Sequence, residues 1–292
     1  MINFKFVKAQ FKSVIISIII FFILFVVLLI PALILNSFAP GITINKSSSG
    51  SIGSSSELGG AILLPSTLYG VPGFILMFAF GIVLIHILLV KETDRGYLAS
   101  WLTTPMTRRT ILNSKLFVIL SSIMMVNIVM LILQLIFFAA LYRDFHHQAQ
   151  VDIVLASFSF LFLSFLWTAI NWVIMGFFNK PGAALSVAIG VSTWFIICAI
   201  LSQMSGIDAQ FKFLKYFKYF TITSFFNLPF NFGELPDMND PSIPVGFHGT
   251  IYAEVKPIHA LDFAWQMPVM IIAGGGGYYG GNLIVIHKDL AL

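Results

Sequence analysis

This 292-residue chain has little charge and almost no cysteine. Only 10% of its residues are charged, whereas soluble domains carry about a quarter, and 58% are hydrophobic. A mean hydropathy of +0.95 excludes an ordinary water-soluble domain. The single cysteine, Cys198, excludes a disulfide within the chain and a cysteine-based metal site. The sequence therefore predicts a protein whose solvent is mostly lipid.

Six apolar runs are long enough to cross a hydrocarbon core, which takes about 20 residues as a helix. None of them contains Asp, Glu, Lys or Arg. Barrel strands would be about half as long, so the predicted fold class is all-α, a polytopic membrane protein of one transmembrane domain over 1–292. The predicted spans are 14–35, 68–90, 116–141, 153–178, 183–204 and 263–286.

The first run follows basic residues and could be a signal peptide. Its apolar stretch is longer than the hydrophobic region of such a peptide, and Pro40 follows the only plausible cleavage point. We interpret it as a retained first helix.

The basic residues predict the orientation. Ten of the sixteen Lys and Arg residues fall on the side that holds both termini, and four of the other six lie in one long loop, where the positive-inside rule is weak. We therefore predict a multi-pass protein of the cell membrane with both termini in the cytoplasm. This topology accounts for the basic pI, so we expect no nucleic-acid partner.

The long external segment, 205–262, contains the sequence FKFLKYFKYF. Its lysines, Lys212, Lys215 and Lys218, are three residues apart, which on a helix places them on one face, opposite Phe213, Phe217 and Phe220. One interpretation is an external interfacial helix bound to membrane lipid. The other is an ordinary amphipathic helix packed on its own protein.

Few residues within the spans could serve ion coupling, metal binding or catalysis. His86 is the one ionisable group there that an ion-coupled carrier could use, and we expect it to be structural. The neighbouring pair His146 and His147 forms no recognised zinc pattern. Neither a G-x-S-x-G nor an H-E-x-x-H motif occurs, so we expect no catalytic residue, metal or cofactor in this chain.

Glycines in the last span are predicted to pack helices. AGGGGYYGGN lacks the phosphate-loop pattern and lies at membrane depth. Small residues four apart let two helices approach closely, and the pairs here are Gly276 with Gly280 and Gly277 with Gly281. Asn127, Gln134 and Asn171 are predicted to cross-link helices or to line a cavity.

Residues 91–115 carry seven charged side chains between two apolar spans. Tyr97, Leu98, Trp101 and Leu102 form an apolar stripe that predicts a short lateral helix beginning near Glu92. Thr104 and Pro105 resemble an N-cap with proline at the first helical position, which would start the helix of the third span. The loop is either a topology signal or a docking surface for a cytoplasmic partner.

The stretch ETDRGYLASWLTTPMTRRTILNSK resembles the cytoplasmic segment after the second span of type-2 ABC exporter permeases. The C-terminal HKDLAL is similar to the basic-Asp-Leu ending of that family. The matching residues in the stretch are Glu92, Arg95, Gly96, Leu98, Leu102, Thr104, Pro105, Arg108 or Arg109, Ile111 and Lys115.

This resemblance implies a transport subunit that pairs with a second permease copy, identical or not, and with cytoplasmic ABC ATPases. ATP and magnesium would then be bound by the ATPase. The loop would be the coupling element, with Trp101 and Leu102 as its apolar knob, Glu92, Arg108 and Arg109 setting the register, and Thr104 and Pro105 holding the corner. The expected cargo is a hydrophobic or amphipathic peptide, lipid or drug.

Two other classes remain open from the sequence. A secondary transporter or channel-like protein would work without an ATPase. An intramembrane enzyme would need ionisable groups inside the spans, where the sequence shows no such constellation.

The predicted topology is testable by cysteine labelling in a Cys198→Ser background. Single cysteines replacing Ser51, Gln148 and Asn239 should react with a membrane-impermeant maleimide in intact cells, because these positions are assigned outside. Cysteines at 100 and 179 should react only after permeabilisation. Labelling of position 100 in intact cells would contradict the orientation.

Overall fold

The computed structural model describes residues 3–38, 68–94, 107–141, 147–178, 180–204, 209–226 and 260–287. These residues are almost entirely helical and contain no strand. Six of the helices are long and apolar enough to cross a membrane. The protein is an all-α polytopic membrane protein, and the predicted fold class is confirmed.

The six long helices account for most of the described chain. A π-helical turn at His86–Val90 and an α-helical turn at Lys91–Asp94 extend the second helix, and 3₁₀ segments at Ala209–Phe220 and Ile222–Phe225 follow the fifth. The helices are α1 (Phe4–Phe38), α2 (Val71–Ile85), α3 (Arg108–Leu141), α4 (His147–Phe177), α5 (Pro181–Met204) and α6 (Ala260–His287).

Two helices begin at caps that the hydropathy pattern does not reveal. Asn3 accepts hydrogen bonds at Oδ1 from the backbone amides of Lys5 and Phe6, so α1 starts ten residues before the first predicted span. The Thr107 hydroxyl accepts from the Thr110 amide at 3.3 Å, and α3 begins at Arg108 rather than at the predicted Pro105. The caps stabilise polar extensions of apolar helices.

Helices α2 and α4 form the centre of the bundle. Trp167 of α4 stacks on Phe78 of α2 with ring centroids 4.2 Å apart, and its indole N–H donates to the Phe78 carbonyl. The other edge of Trp167 meets Phe195 of α5 at 5.8 Å. One fully buried indole thus holds three helices together, while α1, α3, α5 and α6 keep apolar faces exposed for lipid.

The contact between α4 and α6 depends on two of the four predicted glycines. A Cβ atom on Gly277 would lie 3.1 Å from Cβ of Ala169, and one on Gly281 would lie 2.5 Å from Cδ1 of Trp172. Gly276 and Gly280 face open space, with nothing within 4 Å of a Cβ. Only one of the two predicted pairs therefore packs helices within this chain.

Both described ends of the chain lie at one end of the bundle. The Asn3 amide donates to Oγ of Ser114, near the start of α3, and the Arg108 guanidinium donates to the Ile286 carbonyl at the end of α6. We call this the terminal end, and it also holds Lys91–Asp94 at the end of the extended α2. The 3₁₀ segments follow α5 at the opposite end.

Gly281→Ala should destabilise the bundle, because the new methyl group would overlap the Trp172 ring and overpacking costs about 1–3 kcal/mol. Gly280→Ala is the matched control, since its methyl group meets open space. Unfolding in detergent, followed by tryptophan fluorescence, should show a lower midpoint for Gly281→Ala alone. Equal midpoints for the two variants would contradict the packing.

Candidate functional site

A buried ion pair joins the two ends of the charged stretch. Nζ of Lys115, on α3, lies 2.6 Å from Oε2 of Glu92, just beyond the π turn of α2. The Lys115 side chain is 0% exposed and that of Glu92 is 14% exposed. Two charges removed from water are tolerated only with good geometry and further hydrogen bonds. The pair is therefore a fixed element of the terminal end.

The π turn supplies one of those further bonds. The Lys115 ammonium also donates to the Leu88 carbonyl at 2.5 Å, within His86–Val90. A π turn inserts one residue into a helix and so rotates the following side chains by about 100°. Glu92, the second residue after the turn, lies on the side that faces α3, where it meets Lys115.

The two arginines have different surroundings. The Arg108 guanidinium reaches the Ile286 carbonyl at 3.3 Å, which satisfies one of the unpaired carbonyls at the end of α6. Arg109 is exposed, as is Lys91 next to the ion pair. Three basic side chains therefore remain at the surface around the buried pair.

A polar chain fixes the neighbouring helices at this end. The Trp172 indole donates to Oδ1 of Asn282 at 3.2 Å, and Nδ2 of Asn282 donates to Oδ1 of Asn113 at 3.1 Å. These bonds connect α4, α6 and α3. The ion pair and these hydrogen bonds thus connect both ends of the charged stretch to α2, α3, α4 and α6.

The structure describes only part of the predicted coupling element. Glu92, Arg108, Arg109 and Lys115 lie together at the terminal end, with the first and last forming the ion pair. The helix does not break near Glu92 but continues to Asp94. The other predicted coupling residues lie outside the described residues: Arg95, Gly96, Trp101, Leu102, Thr104 and Pro105.

The resemblance implies that Lys115 belongs to the coupling element, and it does not predict the burial of this side chain. The position of Lys115 indicates burial, because it lies seven residues after Arg108, two helical turns into an otherwise apolar helix. A lysine at that depth needs a carboxylate partner, and Glu92 lies at the matching end of the preceding helix.

A second buried polar cluster lies at the opposite end. Nε2 of Gln134 donates to the Tyr69 hydroxyl at 2.9 Å, and that hydroxyl is hydrogen-bonded to Oγ of Ser157. Because the Ser157 proton goes to the Ile153 carbonyl, Tyr69 must be the donor to Ser157. The cluster joins the start of α2 to α3 and α4, as predicted for Gln134.

The other two predicted polar residues do not cross-link helices through their donors. Nδ2 of Asn127 donates to the Ile123 carbonyl and Nδ2 of Asn171 to the Trp167 carbonyl, each within its own helix. Asn127 instead lines a small cleft.

This cleft lies between α1, α3 and α4, beside Tyr69. It has room for about one water molecule. Its lining residues are Phe25, Leu68, Tyr69, Val126, Asn127, Met130 and Phe160. A peptide, lipid or drug does not fit into it.

The described ranges contain no group of three or more His, Cys, Asp or Glu side chains that could hold a metal ion. His146 lies outside them, and His147 begins α4. His86 is half-buried at the start of the π turn, and its Nδ1 has no hydrogen-bond partner among the described residues.

The chain matches none of the protein-family models, curated proteins or solved structures with which it was compared.

The ion pair can be tested by a double-mutant cycle. Glu92→Gln leaves the Lys115 charge buried and unpaired and should lower the free energy of unfolding by about 3–5 kcal/mol. Lys115→Met should cost less, because Glu92 lies close enough to the surface to reach water. The double variant should be more stable than Glu92→Gln alone.

Lys91→Met is the control, because this exposed lysine adjoins the pair without belonging to it. Denaturant titration in detergent gives the four free energies. Strict additivity of the two single losses in the double variant would contradict direct coupling.

Proposed function

We propose that this chain is the membrane-spanning permease subunit of an ATP-driven ABC exporter. The observation that supports it most is the Glu92–Lys115 ion pair, which fastens both ends of the stretch that resembles a coupling element. The proposal assigns the stretch 91–115 to coupling with a cytoplasmic ATPase.

Coupling requires that movement of the stretch also moves the spans. A loop attached by two flexible ends would absorb that movement. Here Glu92 and Lys115 are held 2.6 Å apart, and α3 is also linked to α4 and α6 through Asn113 and Asn282. A push on the stretch would therefore reach several helices at once.

The proposed docking surface combines charge with an apolar anchor. Lys91, Arg108 and Arg109 are exposed around the buried pair and would orient an acidic partner surface. By resemblance, Trp101 and Leu102 would supply the anchor, since aromatic side chains are frequent hot spots of interfaces. Arg95, Gly96, Thr104 and Pro105 would shape the turn that presents them.

The source of energy in this proposal is a separate chain. The sequence contains no phosphate-binding loop, so ATP and magnesium would be bound by the ATPase. The basic asymmetry of the loops supports an orientation in the cell membrane with both termini, and hence the docking surface, in the cytoplasm.

The translocation path in this proposal requires a second permease copy. Large side chains fill the contact between α2 and α4, and the cleft beside Tyr69 has room for only one water molecule. A hydrophobic or amphipathic peptide, lipid or drug would therefore pass between two copies, identical or different. Gly276 and Gly280, open on α6, allow close approach of another helix.

One observation favours a second candidate function, an ion-coupled secondary transporter. Ionisable side chains within a span are functional candidates by default, and Lys115 is fully buried in α3. Transport by vesicles that contain this chain alone, driven by an ion gradient without nucleotide, would support this candidate over the exporter.

The exporter is tested by affinity capture of ABC ATPases of the same cell on this chain, together with an export assay. Trp101→Ala, and separately the pair Arg108→Glu and Arg109→Glu, should leave the chain inserted but abolish substrate-stimulated ATP hydrolysis. Loss of a hot spot costs about 2 kcal/mol or more, so affinity for the ATPase should fall about thirtyfold.

The matched control changes Lys215 and Lys218 to Glu, an equal charge change at the opposite end of the bundle. Binding of the ATPase should then be unaffected. Full binding and full export by both terminal-end variants would contradict the proposal and leave the stretch as a topology signal.

A further inference from the structure

The segment Ala209–Phe220 is a 3₁₀ helix and not the α-helix assumed from the sequence. With three residues per turn, side chains three positions apart lie above one another. The segment therefore carries three rows. One row holds Lys215 and Lys218, the second holds Phe213, Tyr216 and Tyr219, and the third holds Leu214, Phe217 and Phe220, while the side chain of Lys212 lies outside the described part of the structure.

The third row attaches the segment to the bundle through Leu214 and Phe217, whereas Phe220 at its end is 61% exposed. Leu214 is buried and Phe217 is half-buried, and the segment packs along α5. Directly after it, the Thr221 hydroxyl donates to the Phe195 carbonyl at 3.1 Å. The Phe226 ring then meets Phe74 edge-on at 5.6 Å. The segment is thus fixed at both its side and its end.

The other two rows are open. Phe213 is 60% exposed, Tyr216 68% and Tyr219 80%. Lys215 and Lys218 are also exposed. We call these two rows the lysine–aromatic ribbon. Three large rings on one exposed face form an apolar patch, and such patches mark sites that contact another protein or a membrane.

The position of the ribbon indicates what covers it. Phe195, to which Thr221 is bonded, precedes the end of α5 at Met204 by nine residues, or about 13 Å along the helix. The 24 residues of α5 span about 36 Å, compared with a hydrocarbon core of about 30 Å. The segment begins after Met204 and returns to the level of Phe195, so it crosses the boundary between headgroups and acyl chains, where aromatic side chains are enriched.

Charge selects among the lipids at that boundary. The sequence from Ala209 to Phe226 contains three lysines and no acidic residue, so no carboxylate of this segment neutralises them. A lysine held at the edge of hydrocarbon extends its ammonium towards the headgroups, since a charge left among acyl chains is costly. Phosphate groups of anionic lipids complement this row.

We infer that the lysine–aromatic ribbon binds anionic phospholipids of the leaflet at the α5 C-terminal end, with the lysines on the headgroups and the rings on the acyl chains. This inference is independent of the proposed exporter function. It combines the two interpretations left open by the sequence, because Leu214 packs on the protein while the exposed lysines and rings are assigned to lipid.

The test places a fluorophore at the ribbon in a Cys198→Ser background, through Tyr216→Cys, in vesicles containing this chain alone. Brominated phosphatidylglycerol and brominated phosphatidylcholine are compared as quenchers. Each lysine near an anionic surface strengthens binding about fivefold, so the preference for phosphatidylglycerol should be marked in the unaltered ribbon. Lys215→Gln with Lys218→Gln should weaken it about twenty-five-fold.

Two controls separate the ribbon from general electrostatics. Lys215→Arg with Lys218→Arg retains the charge and should retain the preference. Lys8→Gln with Lys12→Gln removes the same charge from exposed positions at the terminal end and should leave quenching at position 216 unchanged. Equal quenching by the two lipids in the unaltered ribbon would overturn the inference and favour a protein as the covering partner. The inference would also be overturned if Lys8→Gln with Lys12→Gln reduced the preference for phosphatidylglycerol as much as Lys215→Gln with Lys218→Gln does.

Discussion

Helices in hydrocarbon gain little by hiding apolar side chains from lipid, because lipid tails are as apolar as those side chains. Association then depends on close contact and on hydrogen bonds between helices. Both occur where this bundle is densest. Trp172 packs on Gly281 and donates to Asn282, and Trp167 packs on Phe78 and donates to its carbonyl. Each of these two tryptophans of α4 buries a large ring and donates a hydrogen bond from its indole N–H, so α4 can hold α2 and α6 together.

The same constraint gives weight to two groups of buried polar side chains, one at each end of the bundle. At one end Tyr69, Gln134 and Ser157 connect the start of α2 with α3 and α4. At the other, Glu92 and Lys115 connect the extended α2 with α3. Both groups connect α2 with α3, and a further hydrogen bond, between Thr168 and Tyr278, joins α4 to α6.

The ion pair and the lysine–aromatic ribbon use charge in opposite ways. Lys115 is removed from solvent and satisfied by Glu92 and the Leu88 carbonyl, so it stabilises one arrangement of α2 and α3. Lys215 and Lys218 remain exposed on a segment that has no carboxylate of its own. The buried ion pair suits rigid attachment of α2 to α3, and the exposed lysines suit contact with an anionic surface.

The sequence alone determined the fold class, the number of spans and most of their boundaries, because hydrocarbon imposes a minimum length on apolar helices and excludes charge from them. It also identified 91–115 and the three lysines as unusual. Only the tertiary structure decided that Gly277 and Gly281 pack while Gly276 and Gly280 stay open, since the two pairs are identical in spacing and differ only in which face meets α4. Likewise, the burial of Lys115 depends on a π turn that directs Glu92 towards it, and hydropathy does not record such a turn. Only the structure shows that Ala209–Phe220 is a 3₁₀ helix packed along α5, which separates the rings of Phe213 and Phe217 that an α-helix would have placed on one face.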